Sequence, residues 1–248
     1  MVMNLKIKKY LFVVFLISFL FINIRLNAKG YGVGSTKNNE RPNCEDSIIT
    51  DNNGYCIGKD EKTIYLTFDC GYENGYTEAI LDVLRDTDTP AAFFITGHYL
   101  NSSEALVRKM LADGHIVGNH SYSHKDFTLL SEREIIDDIK KLEDAFYEKM
   151  NVKMSSFVRP PRGEYSLNSQ KALCENGYTS VFWSLAYVDW YKDKFNGNNY
   201  SYNKVMSKIH NGAIILMHTV SKDNMVDLSK IINKLKNDGY VFKSIDRL

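Results

Sequence analysis

The chain of 248 residues has only four prolines and fifteen glycines, which excludes a collagen-like or proline-rich linker protein. It has no surplus of one charge. Lys and Arg number 31 against 30 Asp and Glu, a formal net of +1. A dedicated nucleic-acid binder would carry a basic balance or stripe, so that class of partner is excluded. The four cysteines, Cys44, Cys56, Cys70 and Cys174, include no CxxC pair. No internal repeat or low-complexity run appears. Hydrophobic residues make up 44% and charged residues 25%, which is ordinary for a globular protein and excludes both a wholly disordered chain and a polytopic membrane protein.

Charge is unevenly spread. Residues 1–27 hold four bases (Lys6, Lys8, Lys9, Arg25) and no acid, so the remainder carries −3. The three lysines precede an apolar run from Leu11 to Ile24, broken by Ser18 and Asn23. That is the pattern of an export signal, shorter than the roughly 20 residues of a comfortable membrane span. Leu26-Asn27-Ala28 offers a cleavage site, with a large Leu for its first position. Residues 1–28 thus read as a cleaved signal or a retained N-terminal membrane anchor, and the domain is expected outside the cytoplasm. Residues 29–60, rich in Gly, Asn and Asp, read as a loosely structured lead-in. Cys44 and Cys56 within it could pair after export.

From residue 61 onward strand and helix alternate. Strands are predicted at 63–68, 91–96, 115–118, 157–159, 179–183, 213–217 and 240–245. Helices are predicted at 76–85, 102–112, 131–150, 167–176, 203–209 and 225–236. The clearest helix opens on Ser131 and Glu134 as a capping box, with Ile135, Ile139, Leu142 and Phe146 as its buried stripe. About seven strands interleaved with helices predict an α/β fold with a parallel sheet, one domain over 61–248.

Chemistry-bearing residues recur directly after the strands: Asp69, then His120 and His124, Arg159, Trp183 with Asp189 and Trp190, and His218. In a parallel α/β barrel those loops converge on one face, where active sites lie. Each piece alone is weak. Two histidines four apart suit one metal ion or are two loop histidines. Asp69 could cap a helix, Arg159 could serve a structural ion pair, and His218 could be a satisfied core histidine.

Together the strings Thr67-Phe68-Asp69-Cys70-Gly71, His120-xxx-His124, Arg159-Pro160-Pro161-Arg162-Gly163, Asp189-Trp190 and Leu216-Met217-His218 resemble the five motifs of the polysaccharide deacetylases, carbohydrate esterase family 4. Order and spacing agree across residues 61–248. The longer strings 67–77, 182–190 and 217–224 resemble the branch of muramic-acid deacetylases that help make muramic δ-lactam in spore cortex. The resemblance implies a distorted (β/α) barrel of the NodB-homology type and a metal-dependent hydrolysis of an acetamide. It implies Asp69 as catalytic base, His218 as general acid, Arg159 as the arginine that holds the base, and Asp189 as the residue that orients Arg159. His120 and His124 would bind a divalent metal. Leu216, Trp183, Trp190 and Tyr72 would line the sugar site. The implied partner is the glycan strand of peptidoglycan, stripped of peptide by an upstream amidase.

Two positions depart from the family pattern. Cys70 stands where most members have a metal-ligating aspartate. A thiolate ligand would favour zinc; otherwise Cys70 is a small residue filling the turn. Arg162 stands where many relatives have an aromatic residue, and a guanidinium can grip the lactyl carboxylate of muramic acid. The competing readings are a deacetylase of N-acetylglucosamine in peptidoglycan or chitin, an inactive wall-glycan-binding protein, and a glycoside hydrolase using Asp69 and Asp189 as its carboxylate pair. The last has no use for three clustered histidines.

Overall fold

The computed structural model describes residues 28–32, 39–44 and 46–248. Of the export segment read at 1–28, residues 1–27 lie outside the described residues. Among those described, no helix is long and apolar enough to cross a membrane.

In chain order the elements are β1 (Lys29–Gly30), α1 (Ser47–Thr50), β2 (Gly54–Tyr55), β3 (Thr63–Cys70), α2 (Thr77–Asp86), β4 (Ala91–Ile95), α3 (Gly97–Ser102), α4 (Glu104–Ala112) and β5 (Ile116–Asn119). They continue with α5 (Glu132–Met150), β6 (Phe157–Val158), β7 (Glu164–Tyr165), α6 (Leu167–Glu175), β8 (Thr179–Val181), α7 (Tyr200–Met206), β9 (Ala213–His218), α8 (Lys222–Asn237) and β10 (Val241–Phe242). Short 3-10 turns at Phe127–Leu129, Pro161–Gly163 and Ile245–Arg247 link them.

One eight-stranded sheet carries the fold, and all its pairings are parallel. β3 is its spine: β4 lies on one side, β9 on the other, and β10 beside its first residues. Every residue of β3 is buried, as expected of a central parallel strand covered on both faces. The order runs on through β5, β6 and β8. Beyond β8 the chain bends back to β9. Leu185 bridges Ile215, and Ser184 N donates to Ile214 O at 2.9 Å. The sheet therefore curls into a distorted barrel.

Strand alternation sorts the apolar residues into two cores. Ile64, Leu66, Phe68 and Cys70 of β3, with Phe93, Ile95, Ile215 and Met217, pack against the helices. Tyr65, Ala92, Phe94, Val181, Ile214 and Leu216 face the barrel interior. The longest helix, α5, starts where its capping box requires. Ser131 Oγ accepts from Glu134 N, and the Glu134 carboxylate accepts from Ser131 N at 2.8 Å. The helix ends at Asn151 in the left-handed region, a residue type that tolerates it.

The lead-in has more structure than its composition suggested. β2 pairs with β8 and becomes the eighth strand. Asp46 caps α1 and also accepts from Lys29 Nζ and Tyr165 Oη, each at 2.8 Å. Cys44 and Cys56 form a disulfide with Cα atoms 6.0 Å apart. Polar, glycine-rich composition hid these elements because their order comes from partners far along the chain. Replacing both cysteines with serine is expected to lower stability by about 2–3 kcal/mol, the loop-closure value for a ring of this size. Chemical denaturation of the oxidised protein and the double variant checks this.

Candidate active site

Parallel register assembles the site. Asp69, the last but one residue of β3, lies directly beside His218 at the end of β9, and Thr67 lies beside Leu216 one interior step below. Asn119 of β5 pairs with Val158, so His120 and Arg159 follow their strands side by side. Residues remote in sequence meet at the carboxyl ends of the strands.

Arg159 is wholly buried. Its guanidinium donates from Nη1 to Asp69 Oδ1 at 2.9 Å and from Nη2 to Thr67 Oγ1 at 2.9 Å. It also donates to the carbonyls of Val181, 2.8 Å from Nε, and Phe182, 3.1 Å from Nη2. The plane rests on the Phe94 ring, 4.3 Å from its centroid, a favourable cation–π arrangement. Thr67 Oγ1 in turn donates to Ile215 O at 2.7 Å. The buried guanidinium is thus satisfied by β3, β8 and the chain after it, and Asp69 is left with Oδ2 free of the arginine. Burial pushes the Asp69 carboxyl up, but His120, Arg159 and His218 outweigh it and hold it below the usual carboxylate range.

His120 Nδ1 lies 2.8 Å from Arg159 O. That carbonyl can only accept, so Nδ1 carries the proton and Nε2 keeps its lone pair, 3.4 Å from Asp69 Oδ2. The His124 ring stands edge-on to His120 at 4.9 Å, with its backbone in the left-handed region at φ 54°. Burial lowers the pKa of both, that of His124 to about 4. Burial thus favours in both rings the neutral form that ligates a cation.

Cys70 is not with them. Adjacent strand residues point to opposite faces, so with Asp69 facing the barrel, Cys70 enters the helix-side core. It is wholly buried, its Sγ accepts from Thr219 Oγ1 at 3.6 Å, and burial pushes its thiol up. Such a thiol stays protonated and apolar. The cysteine ligand is corrected on this ground, and the identity of the metal no longer rests on a thiolate donor. Among the described residues, no group of three or more His, Cys, Asp or Glu side chains is gathered as a metal site. The donors that fit a divalent ion are the two imidazoles, His120 being oriented by a carbonyl as metal-bound histidines are.

Asp189 departs from expectation as well. It holds His218, not Arg159. Its Oδ1 accepts from His218 Nδ1 at 2.7 Å and its Oδ2 from His218 N at 2.8 Å. Asn224 Nδ2 donates to the same Oδ2 at 2.6 Å, and Asn224 Oδ1 accepts from Tyr187 and Ser201 hydroxyls, both at 2.7 Å. Burial lowers the His218 pKa, but the Asp189 carboxylate and its hydrogen bond outweigh it, and the net direction is up. Asn224, Tyr187 and Ser201 were missed in the sequence. Nothing in a helix-opening asparagine announces that it will brace a carboxylate across the fold.

A cavity of about 550 Å³ opens over these groups. Asp69, His120, His124 and His218 form its floor; Leu216, Trp183, Trp190, Tyr72 and Arg162 line it, joined by Tyr31. Trp183 is nearly buried, whereas Trp190 and Tyr72 are exposed. The Trp190 ring stands 5.9 Å from His218. Gly163, at φ +68°, admits the Trp183 ring where a Cβ would collide with it at 2.6 Å. Tyr31 could not have been found from the sequence, since it belongs to the polar lead-in.

The polysaccharide deacetylase profile matches residues 57–181. The chain belongs to the polysaccharide deacetylase family. The peptidoglycan-N-acetylmuramic acid deacetylase PdaA of Bacillus subtilis is 43% identical over 206 residues, 82% of this chain and 77% of that protein. A solved structure of Bacillus subtilis PdaA, a family 4 carbohydrate esterase, superposes with a TM-score of 0.86, at 40% identity, covering 89% of this chain and 96% of the other. The peptidoglycan-N-acetylglucosamine deacetylase PgdA of Listeria monocytogenes is 34% identical over 77% of this chain and 39% of its own length. The chain is therefore a polysaccharide deacetylase of the NodB-homology type.

Removing the buried guanidinium while keeping its volume, as in Arg159→Met, leaves Asp69 uncompensated. The expected loss is about 3–5 kcal/mol, read as a lowered denaturant midpoint, with Asp69→Asn/Arg159→Met recovering part of it.

Proposed function

We propose that this protein removes the acetyl group from N-acetylmuramic acid in peptide-stripped peptidoglycan, outside the cytoplasm, as a step toward muramic δ-lactam in spore cortex. The observation that carries the reaction is the pairing across β3 and β9 of an ionised carboxylate with a carboxylate-backed histidine. Asp69 Oδ2, below its usual pKa, accepts a proton from the attacking water. His218, above its usual pKa, donates a proton to the departing nitrogen. The water oxygen bonds to the acetyl carbon, the C–N bond breaks, and acetate and a free amine result. Each positioned transfer is worth about 10²–10⁴-fold. Arg159 fixes the base, and Asp189 fixes the acid. His120 and His124 would hold a divalent metal, and imidazole donors suit zinc. A cation held there would supply Lewis acidity to the acetyl carbonyl.

Arg162 supports muramic acid over glucosamine. Its side chain lines the cavity, is exposed, and makes no direct hydrogen bond or close ion pair among the described residues, its nearby acids being Asp126 and Glu164. A lactyl carboxylate would supply one. The high identity to PdaA supports the same choice. A peptide-free substrate implies an upstream amidase, and the basic, apolar N-terminus implies export by a cleaved signal or an anchor.

The decisive experiment incubates the protein with peptide-free peptidoglycan glycan, with and without zinc, and locates lost acetyl groups by mass spectrometry. Loss on muramic acid is expected, abolished in Asp69→Asn and His218→Ala, with the preference for muramic acid weakened in Arg162→Ala. Loss on glucosamine overturns the substrate, and no loss by the folded protein favours the wall-glycan binder. Asp189→Asn gives a second test. His218 must be protonated to act, and Asp189 raises its pKa, so the alkaline limb of the rate profile moves to lower pH in that variant. An unmoved limb overturns the acid assignment.

A further inference from the structure

The lead-in reaches the cavity through Tyr31, which lies outside the family match. β1 adds to β7 antiparallel, Lys29 beside Tyr165 and Gly30 beside Glu164. Tyr31 N then donates to Gly163 O at 2.8 Å. This sets the Tyr31 ring on Phe182, centroids 4.9 Å apart, and edge-on to Trp183 at 5.3 Å. The ring is part of the cavity wall. Its hydroxyl lies 3.7 Å from Cys44 Sγ, the sulfur of the disulfide to Cys56. Lys29 is tied to Asp46 at 2.8 Å, and Asp46 to Tyr165. The strand is thus fastened by sheet bonds, by an acidic hub and by a cystine at the hydroxyl tip of its aromatic ring.

Such fastening exceeds what a passive surface tail needs. Ordering a polar segment costs entropy, and β1 has a sheet partner on one side only, β7. Tyr31 presents a rigid apolar ring with few rotors, the kind of surface that binds a sugar face at low entropic cost. We propose that residues 28–32 form a built-in wall of the substrate site, with Tyr31 as a substrate-positioning residue that braces Trp183 and contacts a hexosamine ring. The Cys44–Cys56 disulfide holds that wall in place. The nature of the ligand rests on the deacetylase reading above; the wall itself does not.

The test uses a peptide-free peptidoglycan tetrasaccharide. Both tryptophans of the chain, Trp183 and Trp190, line the cavity, so intrinsic fluorescence reports binding without turnover. Tyr31→Leu, which keeps apolar bulk but loses the ring, is expected to raise KM and Kd about three- to tenfold while kcat changes little, a loss of roughly 0.7–1.4 kcal/mol. Tyr31→Phe is expected to bind like the wild type. Cys44→Ser/Cys56→Ser, with Tyr31 intact, is expected to raise both constants by a smaller factor. A merely structural role would instead lower the active fraction, and so kcat, with KM unmoved. Wild-type KM and Kd in Tyr31→Leu overturn the proposal; should that variant not fold, wild-type constants in the serine pair overturn it. A wild type that binds the glycan but releases no acetate, with binding weakened in Tyr31→Leu, sinks the deacetylase reading and leaves the wall standing. A wild type that neither binds nor hydrolyses the glycan overturns both.

Discussion

The buried ion pair of Arg159 and Asp69 is the constraint around which the barrel interior is arranged. An unpaired guanidinium there would be prohibitive. Its hydrogen bonds to Asp69, Thr67, Val181 and Phe182 pull together β3, the chain after β6, and the chain leaving β8. The same bonds leave one Asp69 oxygen facing the cavity. A single packing solution therefore both stabilises the core and orients the candidate base. The Phe94 ring beneath the guanidinium excludes water from the pair, which strengthens it further.

A second carboxylate, Asp189, does comparable work on the other side of the cavity. Its two oxygens take the His218 ring, the His218 backbone and Asn224. The two acids thus divide the labour. One is paired with a permanent cation and stays ionised; the other is paired with a histidine and favours that ring's proton. Opposed environments pushing two titratable groups apart are how acid and base functions coexist at one pH.

Much of this was readable beforehand. The hydrophobic alternation of the strands and the capping box at Ser131 announce the elements, because both depend on neighbours within a few residues. Asp69, His120, His124, Arg159 and His218 stand out because they follow strands, and parallel topology brings strand ends together. Other features were not readable. The helix Gly97–Ser102 lacks an apolar period long enough to show itself. β2 has two residues and exists only because β8 offers it an edge.

By itself the sequence determined the α/β alternation, the family and the identity of the groups that meet at the strand ends, since those follow from local pattern and motif order. Tertiary structure alone decided who partners whom. It turned Cys70 away from His120 and His124, because a strand sends consecutive side chains to opposite faces. It moved Asp189 from Arg159 to His218, because the loop after β8 closes against β9. It brought Tyr31 into the cavity, because an edge at Glu164–Tyr165 was open to a strand from the far end of the chain. Each is a matter of direction and proximity between distant segments, which no local pattern encodes.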